Sequence, residues 1–110
     1  MNDLYPVKVQ KAVAALLTGP AICAPALRQA IAVYAMRLAG SMRDPQDIPG
    51  ELVAYVDKVT LFAYKITDDD VQRLKDAGYS EDAIFEITLC ASLGASLARL
   101  ERGLLALKGT

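Results

Sequence analysis

The segment from Ser80 to Leu107 is the sequence feature that most constrains the fold. It opens with a serine and two acidic residues, which is typical of a helix N-terminus. After that opening, apolar residues occur on almost every face of a helical wheel, and residues 91–98 are mostly small. A helix that is apolar all round must be covered on all sides. A chain of 110 residues has few other segments that could pack around it. We therefore predict a central helix and a homo-oligomer that assembles through Ser80–Leu107.

Composition supports one folded domain spanning residues 1–110, with 54% hydrophobic and 23% charged residues. The formal net charge of −1 offers no positive surface for nucleic acid, so we expect no such partner. The longest uncharged run, Ala12–Leu27, contains two prolines and a glycine, and the next, Ile87–Ala98, is too short to cross a bilayer. We therefore expect no membrane span and a cytoplasmic protein, in which the two cysteines stay reduced.

Helix signals recur along the chain and clean strand signals do not. We predict a first helix over Val7–Leu17, ended by Gly19-Pro20, and a second over Ala26–Leu38. A third follows Pro49, and a short fourth is capped by Thr67 and its acidic first turn. The inward faces predicted for the second and third helices are Leu27, Ile31, Tyr34 and Leu38, and then Leu52, Val53, Val56, Val59, Phe62 and Ala63. Together with the helix predicted over Ser80–Leu107, these segments predict an all-α, compact bundle of about five helices.

The block Ala77-Gly78-Tyr79-Ser80-Glu81-Asp82-Ala83-Ile84-Phe85-Glu86-Ile87, followed by a small-residue helix, resembles one family. It is similar to the alkylhydroperoxidase D-like, or carboxymuconolactone decarboxylase-like, proteins, which are all-helical oligomers. The resemblance is strongest over residues 50–107. It implies an oligomeric helical fold and, in the redox branch, a dithiol that reduces peroxide with a glutamate and a histidine as proton relays.

The chain departs from that family at its active site. In a register anchored on Gly78, residues Ala63, Ile66 and Asp70 stand where the two cysteines and the histidine would fall. Glu51 lies near the position of the relay glutamate. The chain has no histidine, so neither the dithiol mechanism nor the decarboxylase branch's acid–base histidine is available. The resemblance therefore implies a divergent member with new or lost catalysis.

Cys90 is the remaining candidate nucleophile, with Glu86 one helical turn before it as a base. No basic residue lies within a turn of Cys90 to lower the pKa of its thiol, so the alternative is a structural buried cysteine. Glu86 lies among apolar neighbours and needs a partner. Lys58 or a neighbouring subunit's Arg99 is the expected one.

A second candidate site lies on the third helix. Tyr55 and Lys58 share one helical stripe there, and with Tyr64 and Glu51 they are candidates for lining a small ligand pocket. The alternative is a half-exposed helix face with extended lysines. The run Asp68-Asp69-Asp70 is explained by helix capping, so we expect no metal and no cofactor.

Three functions remain open at this point. The first is a catalytically diverged or non-catalytic alkylhydroperoxidase D-like protein, acting as an oligomeric scaffold, a partner subunit or a small-molecule binder. The second is a peroxidase-type oxidoreductase that uses Cys90 or a remodelled carboxylate site around Glu86 and Glu51. The third is a helical interaction module for a different protein, docked through the apolar helix.

Overall fold

The computed structural model describes residues 5–109, so residues 1–4 and 110 of the predicted single domain lie outside the described residues. Within that range the chain is all-α, as predicted. The helices are α1 (Val7–Thr18), α2 (Pro25–Leu38), α3 (Gly50–Leu61), α4 (Asp68–Asp76) and α5 (Glu81–Leu107). A 3-10 turn, Ala63–Lys65, lies between α3 and α4.

The two ends of α4 and the start of α5 lie where the sequence predicts. The Thr67 side chain accepts the amide N–H of Asp70, and the Asp70 carboxylate accepts the amide N–H of Thr67 at 2.9 Å, which is a capping box. Gly78 follows α4 with a φ of 102°, a conformation that favours glycine. The Ser80 side chain accepts the amide N–H of Ala83 at 3.1 Å and so caps α5.

The third helix is shorter than predicted. It ends at Leu61, and Phe62 has a φ of −142°, outside the helical range. The prediction that Phe62 and Ala63 face inward is therefore wrong: Phe62 is 45% exposed and Ala63 belongs to the 3-10 turn. The inward prediction is confirmed for Leu52, Val56 and Val59.

Helices α2 and α5 lie side by side and run in the same direction. Contacts join Cys23 to Glu86 at one end and Ser41 to Glu101 at the other. Between them Gly94 faces α2, where an added Cβ would stand 2.3 Å from the carbonyl oxygen of Ala32. The small side chains in the middle of α5 thus permit a close contact within one chain.

The predicted inward face of α2 is confirmed in part: Ile31 is fully buried, and Leu27 and Tyr34 are half-buried against the core. The close contact with α5 adds two alanines to the buried face and leaves Leu38 outside it. Ala32 and Ala35 are buried, whereas Leu38 is 38% exposed. Two alanines opposite a glycine let the helix backbones approach, and this packing outweighs the burial of larger apolar side chains. The fully buried centre of the bundle includes Ile31, Leu52, Val56, Ile87 and Cys90.

Candidate functional site

The Cys90 side chain lies in the centre of the core and has no exposed surface. Its burial raises the pKa of the thiol to about 11, because burial disfavours the charged thiolate. At neutral pH the residue is therefore a neutral thiol that solvent does not reach. A nucleophilic cysteine needs an accessible thiolate with a lowered pKa, and Cys90 has the opposite properties.

Glu86 is a half-buried anchor for the segment that precedes α2. Its carboxylate accepts the amide N–H groups of Ile22 at 2.9 Å and of Cys23 at 2.8 Å. These two hydrogen bonds hold the pKa of Glu86 below its ordinary value. Lys58, one of the expected partners, pairs instead with Asp70. Arg99 of this chain donates to the carbonyl oxygen of Thr60 at 3.3 Å, and a pair between Glu86 and a neighbouring subunit's Arg99 stays a prediction.

Arg28 is a buried structural residue that the sequence pattern does not reveal, because it lies outside the predicted inward face of α2. The residue is 3% exposed and its guanidinium donates to three main-chain carbonyl oxygens, those of Cys23 at 3.0 Å, Leu16 at 2.7 Å and Gly19 at 2.5 Å. The last carbonyls of a helix have no partner inside the helix. The available sequence signal was the position of Arg28 in the first turn of α2, shortly after the Gly19-Pro20 break, where the carbonyl groups at the end of α1 need donors.

Lys58 and Asp70 form an ion pair between α3 and α4. The lysine Nζ lies 3.0 Å and 2.8 Å from the two carboxylate oxygens of Asp70. Hydrogen bonds from Lys58 and from the Thr67 amide lower the pKa of Asp70 to about 2. Lys58 therefore fastens α4 to α3 instead of facing a ligand pocket.

The remaining predicted site residues lie in separate places. The hydroxyl groups of Tyr55 and Thr88 are 2.7 Å apart, in a contact between α3 and α5. Tyr79 donates its hydroxyl to Glu51 at 2.7 Å, which lowers the pKa of this exposed carboxyl. Tyr64 is 81% exposed on the 3-10 turn. Cys90, Glu86 and Glu51 thus make contacts with other groups and form no shared catalytic cluster in the described part of the chain.

The cavity beside the predicted pocket residues is too small for an ordinary ligand. Its volume is about 40 Å³ and it is lined by Glu51, Ala54, Tyr55, Asp70, Arg73 and Leu74. Small-molecule sites usually enclose about 300–1,000 Å³. Larger clefts of about 320–470 Å³ lie elsewhere, along α1, α2 and the loop after α2. Among residues 5–109, no group of three potential metal ligands is found.

A polar cluster fastens the C-terminal half of α5 to the rest of the chain. The Glu101 carboxylate accepts the Tyr5 hydroxyl at 2.8 Å and pairs with Arg43 at 3.0 Å. Burial and the adjacent Glu101 raise the pKa of Tyr5 to about 12. These contacts lie within the chain and position α5, while the Arg43 side chain keeps 28% of its surface exposed.

The outer face of α5 is a continuous exposed surface, which we name the α5 strip. Its members are all exposed and uncharged: Phe85, Leu89, Ser92, Ser96, Leu100, Gly103 and Leu107. Phe85 is 63% exposed and Leu107 is 84% exposed. No other element of the described chain covers this face. Its apolar members form two groups, Phe85 with Leu89 and Leu100 with Leu107, and Ser92 and Ser96 lie between them. Exposed groups of large apolar side chains are typical of interaction sites.

The length and apolarity of α5 would also suit a membrane span, although half of its most apolar window is buried within the chain. The core helix of a soluble protein has the same properties, so this is weak evidence for a membrane. No protein-family model, curated protein or solved structure matches this chain. The resemblance of residues 77–87 to the alkylhydroperoxidase D-like family therefore stays a prediction from the residues.

Proposed function

We propose that this chain is a non-catalytic helical protein that acts by binding, as an oligomeric scaffold or partner subunit, through the α5 strip. The observation that carries the proposal is the contrast between the two faces of α5. The inner face holds Cys90 without exposure, and the outer face exposes Phe85, Leu89, Leu100 and Leu107. The candidate nucleophile Cys90 is thus enclosed, and the exposed apolar side chains of α5 are of the kind that favours association.

Enzymatic function has less support from the same geometry. A peroxidase requires a thiol that peroxide can reach and that ionises near neutral pH. Cys90 is enclosed with a pKa of about 11, and Cys23 is 7% exposed with a raised pKa. Glu86 uses its carboxylate to hold two amide groups. The proposed protein is a diverged alkylhydroperoxidase D-like chain that lacks redox chemistry, and we place it in the cytoplasm, where buried thiols remain reduced.

Thiol chemistry tests this proposal directly. The folded protein is incubated with excess hydrogen peroxide and, separately, with an organic hydroperoxide, and thiol oxidation and peroxide consumption are followed by mass spectrometry and colorimetry. We expect both thiols to stay reduced and peroxide loss to equal that in buffer. Catalytic peroxide loss that disappears in Cys90→Ala and persists in the matched variant Cys23→Ala would overturn the proposal.

A denaturant control separates burial from intrinsic inertness. In unfolding concentrations of guanidinium chloride both thiols lose their protective packing, so a disulfide-exchange reagent should modify them rapidly. In the folded protein the same reagent should react slowly with Cys90, at a rate set by transient opening of the core. Equal rates in the two conditions would mean that the core does not enclose this thiol.

A further inference from the structure

A cleft runs along the seam between α1 and α2. Its volume is about 320 Å³, and small-molecule sites usually enclose about 300–1,000 Å³. Its walls include buried apolar side chains, which are Val13 and Leu17 from α1 and Ala32 and Met36 from α2. Walls of this kind favour a ligand with an apolar body, because such a body leaves water when it binds.

Small side chains leave this space open. Ala14 lines the cleft from α1, and Ala32 lines it from α2. The main chain of α2 is also held closely against Gly94 of α5 at Ala32, so α2 cannot move towards α1 to close the gap without losing that contact. A longer side chain at residue 14 would therefore fill part of the cleft.

The two ends of the cleft carry different polar groups. Helices α1 and α2 run in opposite directions, since Arg28 in the first turn of α2 donates to carbonyl groups at the end of α1. Thr18 and Gln29 therefore lie at one end of the cleft. Gln10 and Arg43 lie at the other. From residue 10 to residue 18 the helix rises about 12 Å, so a ligand that fills the cleft is elongated.

Arg43 has a hydrogen-bond donor that the chain leaves unused. Among the buried side-chain nitrogen and oxygen atoms of residues 5–109, Nε of Arg43 is the one without a hydrogen-bond partner. Buried donors in folded proteins nearly always have an acceptor, and a guanidinium group offers donors only. The Arg43 side chain is 28% exposed and lines the cleft. An oxygen atom of a ligand at this end would supply the acceptor that the guanidinium lacks.

The charge around Arg43 favours a neutral ligand oxygen over a carboxylate. Nη2 of Arg43 already pairs with Glu101 at 3.0 Å, and the Glu101 side chain is 13% exposed. A ligand carboxylate on the same guanidinium would lie close to the Glu101 carboxylate, and the two negative charges would repel each other. A ligand ammonium group offers no acceptor for the Nε–H group.

We propose that this cleft binds a neutral, elongated aliphatic molecule whose terminal oxygen, a hydroxyl or a carbonyl, accepts a hydrogen bond from Arg43. The aliphatic body lies between the apolar walls of α1 and α2. An apolar cavity of about 150 Å³ holds benzene, so a cleft of about 320 Å³ holds about twice as many non-hydrogen atoms, which is roughly the size of 1-decanol. The cleft is separate from the α5 strip, so this inference goes beyond the proposed function and does not depend on it.

An NMR titration tests the site and its selectivity. Amide chemical shifts of the isotope-labelled full chain are followed while 1-decanol, decanoate or decylammonium is added, each below the concentration at which it forms micelles. With 1-decanol we expect saturable shifts that are largest at residues 10–18, 29–36 and 43. The two charged probes should bind at least about tenfold more weakly, because their head groups leave Nε unpaired or approach Glu101.

Paired variants test the apolar body and the polar end of the site. Ala14→Leu should weaken binding of 1-decanol at least about tenfold, because the added side chain occupies the cleft. Ala12→Leu is the matched control, since Ala12 is an exposed residue of α1 outside the cleft. Arg43→Met should weaken binding about tenfold, because it removes the donor to the ligand oxygen. Circular dichroism shows whether each variant keeps its helical spectrum.

The outcomes decide the inference even if Arg43→Met does not fold. Saturable binding of 1-decanol that is weakened in Ala14→Leu and retained in Ala12→Leu supports it. No saturable shifts, equal affinity for the three probes, or unchanged affinity in Ala14→Leu or in a folded Arg43→Met overturns it. Shifts that lie along α5 and vanish in Leu89→Glu indicate adsorption to the α5 strip and also overturn it. The peroxide experiment is unaffected by these results, so failure of the cleft would leave the non-catalytic assignment standing.

Discussion

Two glycines in α5 should respond in opposite ways to the same substitution. Gly94 lies against α2, and a Cβ there would stand 2.3 Å from the carbonyl oxygen of Ala32 and 2.9 Å from the Cβ of Ala35. Gly103 has no heavy atom within 4 Å of such a Cβ. We expect Gly94→Ala to destabilise the protein and Gly103→Ala to stabilise it. Because both are Gly→Ala changes in the middle of one helix, their intrinsic helix propensities change equally.

The magnitudes follow from two terms. Replacing glycine by alanine within a helix contributes about 1 kcal/mol of stability through helix propensity. At residue 103 no steric cost opposes that gain, because no heavy atom lies within 4 Å of the added Cβ. At residue 94 the methyl group meets a main-chain carbonyl, so the two helices must separate by about 1 Å, which loses up to about half of the dispersion energy of each contact along their seam. Overpacking typically costs about 1–3 kcal/mol, and a contact of 2.3 Å with a main-chain oxygen belongs at the upper end of that range. Less the gain of about 1 kcal/mol from helix propensity, we expect a net loss of about 2 kcal/mol.

Urea unfolding followed by circular dichroism measures both variants. The protein concentration should be low enough to exclude association through the α5 strip, because residue 103 belongs to that strip. The midpoint should fall for Gly94→Ala and rise for Gly103→Ala, with unchanged slopes. If Gly94→Ala were as stable as the wild type, the close packing of α5 on α2 would be refuted.

The other predictions concern the polar anchors of the bundle and use the same unfolding assay. Glu86→Gln should lower the free energy of unfolding by about 1–2 kcal/mol, because two amide donors lose a charged acceptor. An unchanged unfolding midpoint would show that these hydrogen bonds are replaced by bonds to water. Arg28→Lys should lower the free energy of unfolding by about 1–3 kcal/mol, since an ammonium lacks the planar fork of donors that reaches all three carbonyl groups. Equal stability of this variant and the wild type would contradict the role of Arg28 in joining these carbonyl groups. Asp70 has its pKa lowered to about 2, so its contribution is present above the unfolded pKa of about 3.9 and is lost as pH falls towards 2. Asp70→Asn should flatten stability over that range, and an unchanged pH profile would exclude the Lys58 pair as its source.

The sequence predicts the helical architecture well because the helix ends carry local signals. Thr67 and Ser80 accept the amide groups expected of capping residues, and Gly78 adopts the positive φ that ends α4. These features depend on neighbours within a few residues. The same local reasoning fails at Phe62, where the apolar periodicity continues but the helix ends.

The faces of the helices were harder to predict, since they depend on which backbone can approach which. A hydrophobicity pattern favours Leu38 as a core residue of α2, yet Leu38 is 38% exposed, and Ala32 and Ala35 are buried where Gly94 lies opposite them. The sequence predicts assembly through Ser80–Leu107, and the small middle of that segment contacts α2 of the same chain. The proposed subunit surface lies on the opposite face.

The partners of the candidate site residues were equally hard to predict from the sequence. Cys90, Glu86 and Lys58 were correctly singled out as residues that need an explanation, but the partners of Glu86 come from a segment 64 and 63 residues earlier in the chain. Lys58 pairs with Asp70, which the sequence assigned to capping alone. Long-range partners of this kind follow from tertiary packing, and spacing along one helix does not reveal them.

Sedimentation velocity over a concentration series tests most directly whether the exposed face of α5 is the working surface of this protein. The wild type should shift from monomer towards dimer or a larger oligomer as the concentration rises. The control Leu38→Glu should shift with it, because Leu38 has the same 38% exposure as Leu89 and lies outside the α5 strip. Leu89→Glu should remain monomeric at the same concentrations while keeping its helical spectrum. Dimerisation of Leu89→Glu equal to that of the wild type, or a wild type that stays monomeric throughout, would contradict the account.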